Sequence, residues 1–431
     1  MTWNRRHRIQ SYLQSSLWII PIGAVVIELL VAGFVHALDA RLGWAGAGFG
    51  LEGARVVANA VLTLTLSFVV FTFGSLLVAI QVASGQYTPR IIATTLLRDN
   101  VIRYTVGLFV FTLLFAIKAL NHMETTVPQL VTFVTGLLGL LCLAAFLFLI
   151  DYAARLLRPV SLVHRVGEAG LAVIESVYPE KLDGAHRPAA AEPTAGPVER
   201  TILHRGSSAI VLAVDMKRLV AEAEKSKGVI QFAPQVGDFV GADEPLFLLH
   251  GSAAAVADNT LRDCVILGSE RTMEQDPLFA FRILVDVAIK ALSAAINDPT
   301  TAVLAIDELH RLLRSAGQRN LRTDFILGRA GSLCVILRTP DWDDFVHLTF
   351  TEIRFCGASS VQIARRLRAM IVNLSNTLPP ERQSALHQEL DLLDRMLQKL
   401  YVLPEDLALA RIPDSQGLGG STDTNAPKWA N

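Results

Sequence analysis

The chain has 431 residues, 52% of them hydrophobic, with 39 Lys and Arg against 40 Asp and Glu. The length allows two or three domains, and a net charge near zero excludes the basic footprint of a nucleic-acid-binding protein. Four cysteines (Cys142, Cys264, Cys334, Cys356) stand far apart with no Cys-x-x-Cys pair and no His at ligand spacing, which argues against a zinc site or disulfide framework and fits a reducing compartment.

The mean hydropathy of +0.41 is high for a soluble protein, and the excess is concentrated before Tyr152. Residues 1–16 carry Arg5, Arg6 and Arg8 and read either as a topology determinant or as a short basic amphipathic helix on anionic headgroups. A transmembrane helix needs about 20 mostly apolar residues. Four stretches meet that length within a transmembrane domain at 17–150: 17–38, 56–83, 101–120 and 129–150. The first is too long for a cleaved signal peptide. Basic residues flank the start of the first span, the end of the second and the end of the fourth, and are missing from the loop at 121–128. The positive-inside rule then predicts both termini, and the soluble half, in the cytoplasm.

Glu28, near the middle of the first span, is the one acid deep in the membrane half. An ionised carboxylate there costs at least about 2.5–3.5 kcal/mol, so the group is expected to be protonated, paired or facing water. In the second span Asn59, Thr63, Ser67, Gly74 and Gln81 fall in one narrow sector at 100° per residue. Small and polar residues in such a stripe most often let two helices pack closely; the sharper reading makes them one wall of a hydrated pathway. The run continues into a polar elbow, where Gly85 and Pro89 interrupt the helix. There Gln86, Tyr87 and Arg90 lie at headgroup depth, as an interfacial anchor or a coupling element.

Residues 151–184 read as a connecting helix interrupted at Pro159, and 185–200 as a Pro/Ala-rich linker. Residues 201–251 form a small β-rich module with strands at Ala209–Val214, Val229–Ala233 and Pro245–Leu249 and a helix capped by Asp215. Its PQVGDFVGADE stretch looks superficially like a biotinyl or lipoyl carrier, but Lys217 is followed by a helical pattern, and the reading is rejected. A mostly helical domain follows at 252–411. Its clearest element is a helical hairpin whose two helices open with Asp276-Pro277 and Asp298-Pro299, each an N-cap followed by Pro at the first helical position. The corner between them gathers Ser293, Asn297, Asp298, Pro299 and Thr300, either as a doubly capped turn or as an anion site at a helix start. Arg365, Arg366 and Arg368 read as a solvated basic face, and 412–431 as a disordered tail.

Two stretches, LVAIQVASGQYTPRIIATTLLRDN and DPLFAFRILVDVAIKALSAAINDPTTAVLAIDEL, resemble a bacterial membrane-protein family known as domain of unknown function 2254. The resemblance covers nearly the whole chain in order. It implies four spans followed by a cytosolic region in the bacterial cytoplasmic (inner) membrane, and no particular chemistry.

The expected fold is therefore membrane α-helical, with four spans and both termini inside, plus a cytosolic α+β region. Neither a phosphate-binding loop, a dinucleotide fingerprint, a zinc-protease motif nor a nucleophile elbow is present. No catalytic residue, metal or cofactor is expected. The expected partners are the lipid bilayer and further copies of the chain. The leading functional expectation is an oligomeric channel- or transporter-like protein whose cytosolic half assembles or senses. The alternative is a non-conducting membrane-anchored scaffold presenting cytosolic helices to partners.

Overall fold

The computed structural model describes Leu13, Ser16 and residues 18–42, 48–86, 99–123, 127–156, 158–182, 195–321 and 324–420. These divide into two compact units, one ending at Leu162 and one starting at Val163. The expected basic segment at 1–16, apart from Leu13 and Ser16, and most of the linker lie outside the described residues.

The first unit is a bundle of α1 (Ile19–Leu42), α2 (Leu51–Gln86), α3 (Asn100–Asn121) and α4 (Gln129–Leu156). All four are long and apolar enough to cross a membrane. Asp99 caps α3 by accepting from Val101 N at 2.9 Å. On α2 the buried residues are Ala54, Ala58, Val61, Thr65, Phe68 and Thr72. That alternation of four- and three-residue steps is the seam of a helix packing at a shallow angle. Ala32, Ala54, Ala58 and Ala119 pack around Phe115, Met123 and Val131, small side chains letting the backbones approach. Further along, Phe68 stacks on Phe146 with ring centroids 4.2 Å apart. At the end carrying the short connections, Gln129 exchanges two hydrogen bonds with the backbone of Phe49, at 2.9 and 2.8 Å. Asp39 accepts from Leu130 N at 2.9 Å in the same region. At the opposite end Tyr152 donates to Asp99 at 2.5 Å. The helix of the second span runs through Gly85 to Gln86, so Gly85 does not break it. Tyr87, Pro89 and Arg90 of the expected elbow lie outside the described residues.

The second unit takes in most of α5 (Pro159–Val177). This helix is more than a connector, since its Gly170 abuts Ala280 and Leu312 of the helical layer. The β part holds β1 (Val198–Leu203), β2 (Ala209–Val214), α6 (Met216–Ser226), β3 (Val229–Gln235), β4 (Phe239–Val240), β5 (Pro245–His250), a short α7 (Asp258–Arg262) and β6 (Val265–Gly268). After α8 (Pro277–Ala291) and α9 (Pro299–Gly317) the chain adds β7 (Phe325–Leu327) and β8 (Leu333–Arg338). One sheet has the order β1-β5-β3-β8-β7 and a second the order β4-β2-β6. The expected module boundary at 251 therefore does not close the sheet. β8 joins β3 in parallel, a pairing that needs a long crossover connection. Asp215 caps α6 as expected, accepting from Arg218 N at 3.1 Å, so Lys217 sits on a helix and not on a carrier hairpin. The helical layer is completed by α10 (Trp342–Gly357), α11 (Val361–Thr377), α12 (Gln383–Leu400) and α13 (Pro404–Ala410).

Two expectations fail in this unit. Arg365 and Arg366 are buried instead of solvated: Arg366 pairs with Asp307 at 2.6 Å, Arg368 with Asp394, and Arg365 donates to the carbonyl of Ile412 at 3.0 Å. Residues 412–420, expected to be disordered, are fixed against α11 through that arginine, with Asp414 wholly buried among them.

Candidate functional site

The stripe Asn59, Thr63, Ser67, Gly74 and Gln81 is exposed along its whole length. Ser67 returns its hydroxyl to the carbonyl of Thr63 at 2.8 Å, which satisfies it without a neighbour. A Cβ on Gly74 would meet nothing within 4 Å. The stripe is therefore not a packing seam within this chain. The seam is the opposite face, two residues on and about 200° around the helix, where Thr65 and Thr72 point inward.

Glu28 is packed inside the bundle at 3% exposure, and its Oε1 has no hydrogen-bond partner. No ion pair joins it to Lys118 among the described residues. Thr65 and Thr72 likewise have buried hydroxyls without a partner, while Thr112 accepts from Cys142 Sγ at 3.2 Å. Thr72 also lines a half-open pocket of about 120 Å³, together with Ser75, Ile102, Phe146, Ala153 and other mostly apolar residues. On sequence alone Thr65 and Thr72 need carry no meaning, because a hydroxyl in a helix can return its bond to the carbonyl four residues back. Their spacing with Ala58, Val61 and Phe68 was the signal that could have identified them.

The hairpin corner in the second unit is a closed turn. Asp298 caps α9 through Thr301 N at 3.0 Å and takes the Thr301 hydroxyl at 2.5 Å. Its own N–H donates to Ala291 O at 2.8 Å, and Asn297 N donates to Ser293 O at 2.8 Å. Asn297 adopts a left-handed φ of 47°, tolerable for Asn, and Ser293 donates to Lys290 O at 2.7 Å. Pro299 occupies the first helical turn and Thr300 is exposed. The Ser293, Asp298 and Thr301 side chains thus serve the turn itself.

In this unit burial shifts several titratable groups, while Glu168 and Glu352 are lowered first by hydrogen bonds from Arg311 and Arg282. Burial pushes the Cys264 thiol up to about 12 and raises the Asp276 carboxyl against the pull of Arg271. His310 falls to about 4, through burial and then the charge of Arg366. Cys356 is the exposed cysteine among the four. Among the described residues no three His, Cys, Asp or Glu side chains form a metal-ligand set.

Four membrane-length apolar helices followed by a unit of mixed sheets and helices define a multi-pass membrane protein. The chain belongs to the family described as predicted membrane protein, DUF2254, whose model matches residues 14–373. It is similar to an uncharacterised protein of Mycobacterium bovis, 26% identical over 428 residues that cover 94% of this chain and 81% of the relative. Uncharacterised proteins of two Mycobacterium tuberculosis strains match at the same identity, 26%, and the same coverage. No solved structure matches.

Proposed function

We propose that the protein is an oligomeric, channel- or transporter-like protein of the bacterial cytoplasmic membrane, with both termini inside, and that the α2 stripe lines a hydrated path between copies. The observation that carries this reading is the outward direction of Asn59, Thr63, Ser67 and Gln81. An amide left in hydrocarbon without a hydrogen bond costs about 4 kcal/mol or more, so Asn59 and Gln81 are better placed against water or another copy than against lipid. Four spans do not enclose a path alone, which makes assembly part of the proposal. The second unit would assemble or sense. No catalytic step is included.

The test is thiol accessibility in native membranes. Single cysteines at Thr63, Ser67 and Gln81, introduced into a Cys356→Ser background because Cys356 is itself exposed, should react with a membrane-impermeant thiol reagent. A cysteine at Leu64, an exposed apolar position about 100° around the same helix from Thr63 and Gln81, should be protected by lipid. Protection at Thr63, Ser67 and Gln81 as well would remove the pathway and leave the anchored-scaffold reading.

A further inference from the structure

The helices α10 and α12 run parallel and end together. Trp342 Nε1 donates to Arg382 O at 2.9 Å where they begin, and the Tyr401 hydroxyl donates to Ser359 O at 3.0 Å where they end. Between these points Arg354 of α10 meets the buried Glu389 of α12 at 3.3 Å. The chain leaves α12 at Leu400, passes through Tyr401, Val402 and Leu403, and enters α13 at Pro404. That short turn is fixed at both ends. Tyr401 N donates to Leu397 O at 2.9 Å, and Leu407 N to Leu403 O at 3.1 Å. Pro404 holds Leu403 extended, with φ −79° and ψ 127°. Behind it Ala410 is buried and Arg411 pairs with Asp394 at 3.3 Å.

This ordered turn carries its apolar side chains outward. Val402 is 92% exposed and Leu403 59%. Leu400, the last residue of α12, and Phe355, near the end of α10, are exposed at the same end of the helical layer. Single exposed apolar residues scattered over a surface are ordinary. Here a rigid turn holds two consecutive ones in water, next to two more. Its backbone is already ordered, so covering it costs little conformational entropy.

The charges around the turn select what covers it. Arg395 pairs with Asp391 at 3.0 Å, and Asp394 with Arg368 and Arg411. Lys399 before the turn, and Glu405 and Asp406 after it, form no ion pair among the described residues. Each sign suits its own helix end, and together they order the segment as cation, apolar pair, anions. An anionic bilayer surface attracts basic residues around an apolar anchor, and Glu405 and Asp406 oppose that. A two-fold contact is different, because the same patch faces itself in reverse order. With the axis between Val402 and Leu403, the Lys399 end of one copy faces the acidic end of the other, in both directions. The two Val402–Leu403 pairs then close the centre. The patch is smaller than the roughly 1,000 Å² that a free-standing interface clears. Chains held in one bilayer meet at a raised effective concentration, so less area suffices.

We propose that the segment from Lys399 to Asp406 is a two-fold contact between two copies of this chain. Val402 and Leu403 form its centre, and Lys399 pairs across it with the partner's Glu405 and the partner's Asp406. The proposal rests on the assembly part of the reading above and not on its hydrated path. Loss of the path along α2 therefore leaves this contact standing, and loss of this contact leaves the α2 test as it was.

Cross-linking of the full-length protein in native membranes tests it. Val402→Cys is made in a Cys356→Ser background, because Cys356 is exposed at the same end of the layer. A short bis-maleimide should convert most of this variant to a covalent dimer. Leu327→Cys in the same background, 54% exposed on β7, should stay monomeric. Adding Lys399→Glu to Val402→Cys sets like charges against each other and should lower the dimer yield at least about fivefold. Adding Glu405→Lys and Asp406→Lys to that variant restores opposite charges across the axis and should restore the yield. The side chains at 399, 402, 405 and 406 are all exposed, so these changes leave the core intact. A cysteine at 402 that stays monomeric yet reacts with an impermeant maleimide would show a bare turn and overturn the proposal. A monomer that does not react would assign the turn to lipid or to a different protein, and the two-fold contact would be wrong. A dimer yield indifferent to the charge changes would mark chance collision and would sink it equally.

Discussion

The guanidinium of Arg365, wholly buried, donates to the carbonyl oxygen of Gly419 at 2.9 Å. Its Nε reaches Ile412 O at 3.0 Å, so one side chain spans the whole C-terminal strap. Within the strap, Asp414 accepts from Gln416 N and Gly417 N at 3.1 Å and from Gly419 N at 2.6 Å. Replacing Arg365 with Met removes the donors and strands the carbonyls they serve. Losing a charged hydrogen-bond partner in a buried site costs about 3 kcal/mol. Residues 412–420 of Arg365→Met should lose their hydrogen-exchange protection and become a protease-sensitive site, while α8 and α9 stay protected. Unchanged exchange in the strap would show that Asp414 and the Gln362 amide, which donates to Gly417 O at 2.6 Å, hold it without the guanidinium.

That strap shows why some of the fold was not legible in the sequence. Its own residues, rich in Gly, Ser and Asp, carry little apolar surface. Its order comes from an arginine 54 positions upstream, and no local pattern records such a partner. The same holds for Arg366 and Arg368, whose carboxylates Asp307 and Asp394 lie on other helices. Local devices, by contrast, were readable. Asp215, Asp276 and Asp298 each cap a helix as their spacing requires, and the strand at Ala209–Val214 has the bounds its apolar run suggests. In the membrane unit, apolar residues surround every helix, so hydrophobic contrast could not say which hydroxyl-bearing face of α2 turned inward. Neighbouring helices decided it, through Gly136 and Gly139 of α4 meeting Val57 and Val61.

Gly237 sits against the buried pair of Arg271 and Asp276, with a left-handed φ of 94°. Its N–H donates to Val211 O at 2.8 Å, which ties the turn to β2. An alanine here would adopt an unfavourable backbone conformation and press its methyl on both charged side chains. The expected cost of Gly237→Ala is about 2–3 kcal/mol, read as faster amide exchange at the start of α8, where Asp276 is the cap. The same variant placed on an Arg271→Ala background should cost less, because one of the two obstructing groups is gone.

His310 donates from Nε2 to Asn373 at 2.9 Å and accepts at Nδ1 from Arg366 at 3.3 Å. Protonation would put a second N–H against a guanidinium. The folded protein therefore takes this proton only at about pH 4, whereas the unfolded chain takes it near about 6.5. Between those values the unfolded state binds more protons, so stability falls as pH drops through the window and levels off below it. The loss is at most about 3 kcal/mol. Glutamine offers a donor and an acceptor but no titration. Denaturation of the second unit measured from pH 7 to pH 4 should show a smaller acid loss in His310→Gln than in the parent, and equal losses would assign the effect to other groups.

Gly139 of α4 meets Val61 of α2 so closely that an added Cβ would stand 2.5 Å from Val61 Cγ2 and 3.3 Å from Cγ1. Val61 is buried and branched at Cβ, so in a helix it has one favoured rotamer and little room to turn aside. Gly139→Ala should then force the two helices apart, at a cost of about 1–2 kcal/mol. Val61→Ala on its own should leave a small void and cost about 1 kcal/mol. Combined, the two changes put the alanine methyl at position 139 where the two Val61 methyls were, and the double variant should be more stable than the sum of the single losses by about 1 kcal/mol or more. Thermal unfolding of the four proteins in one detergent gives the coupling directly. Strict additivity would mean that α2 and α4 do not meet at this register.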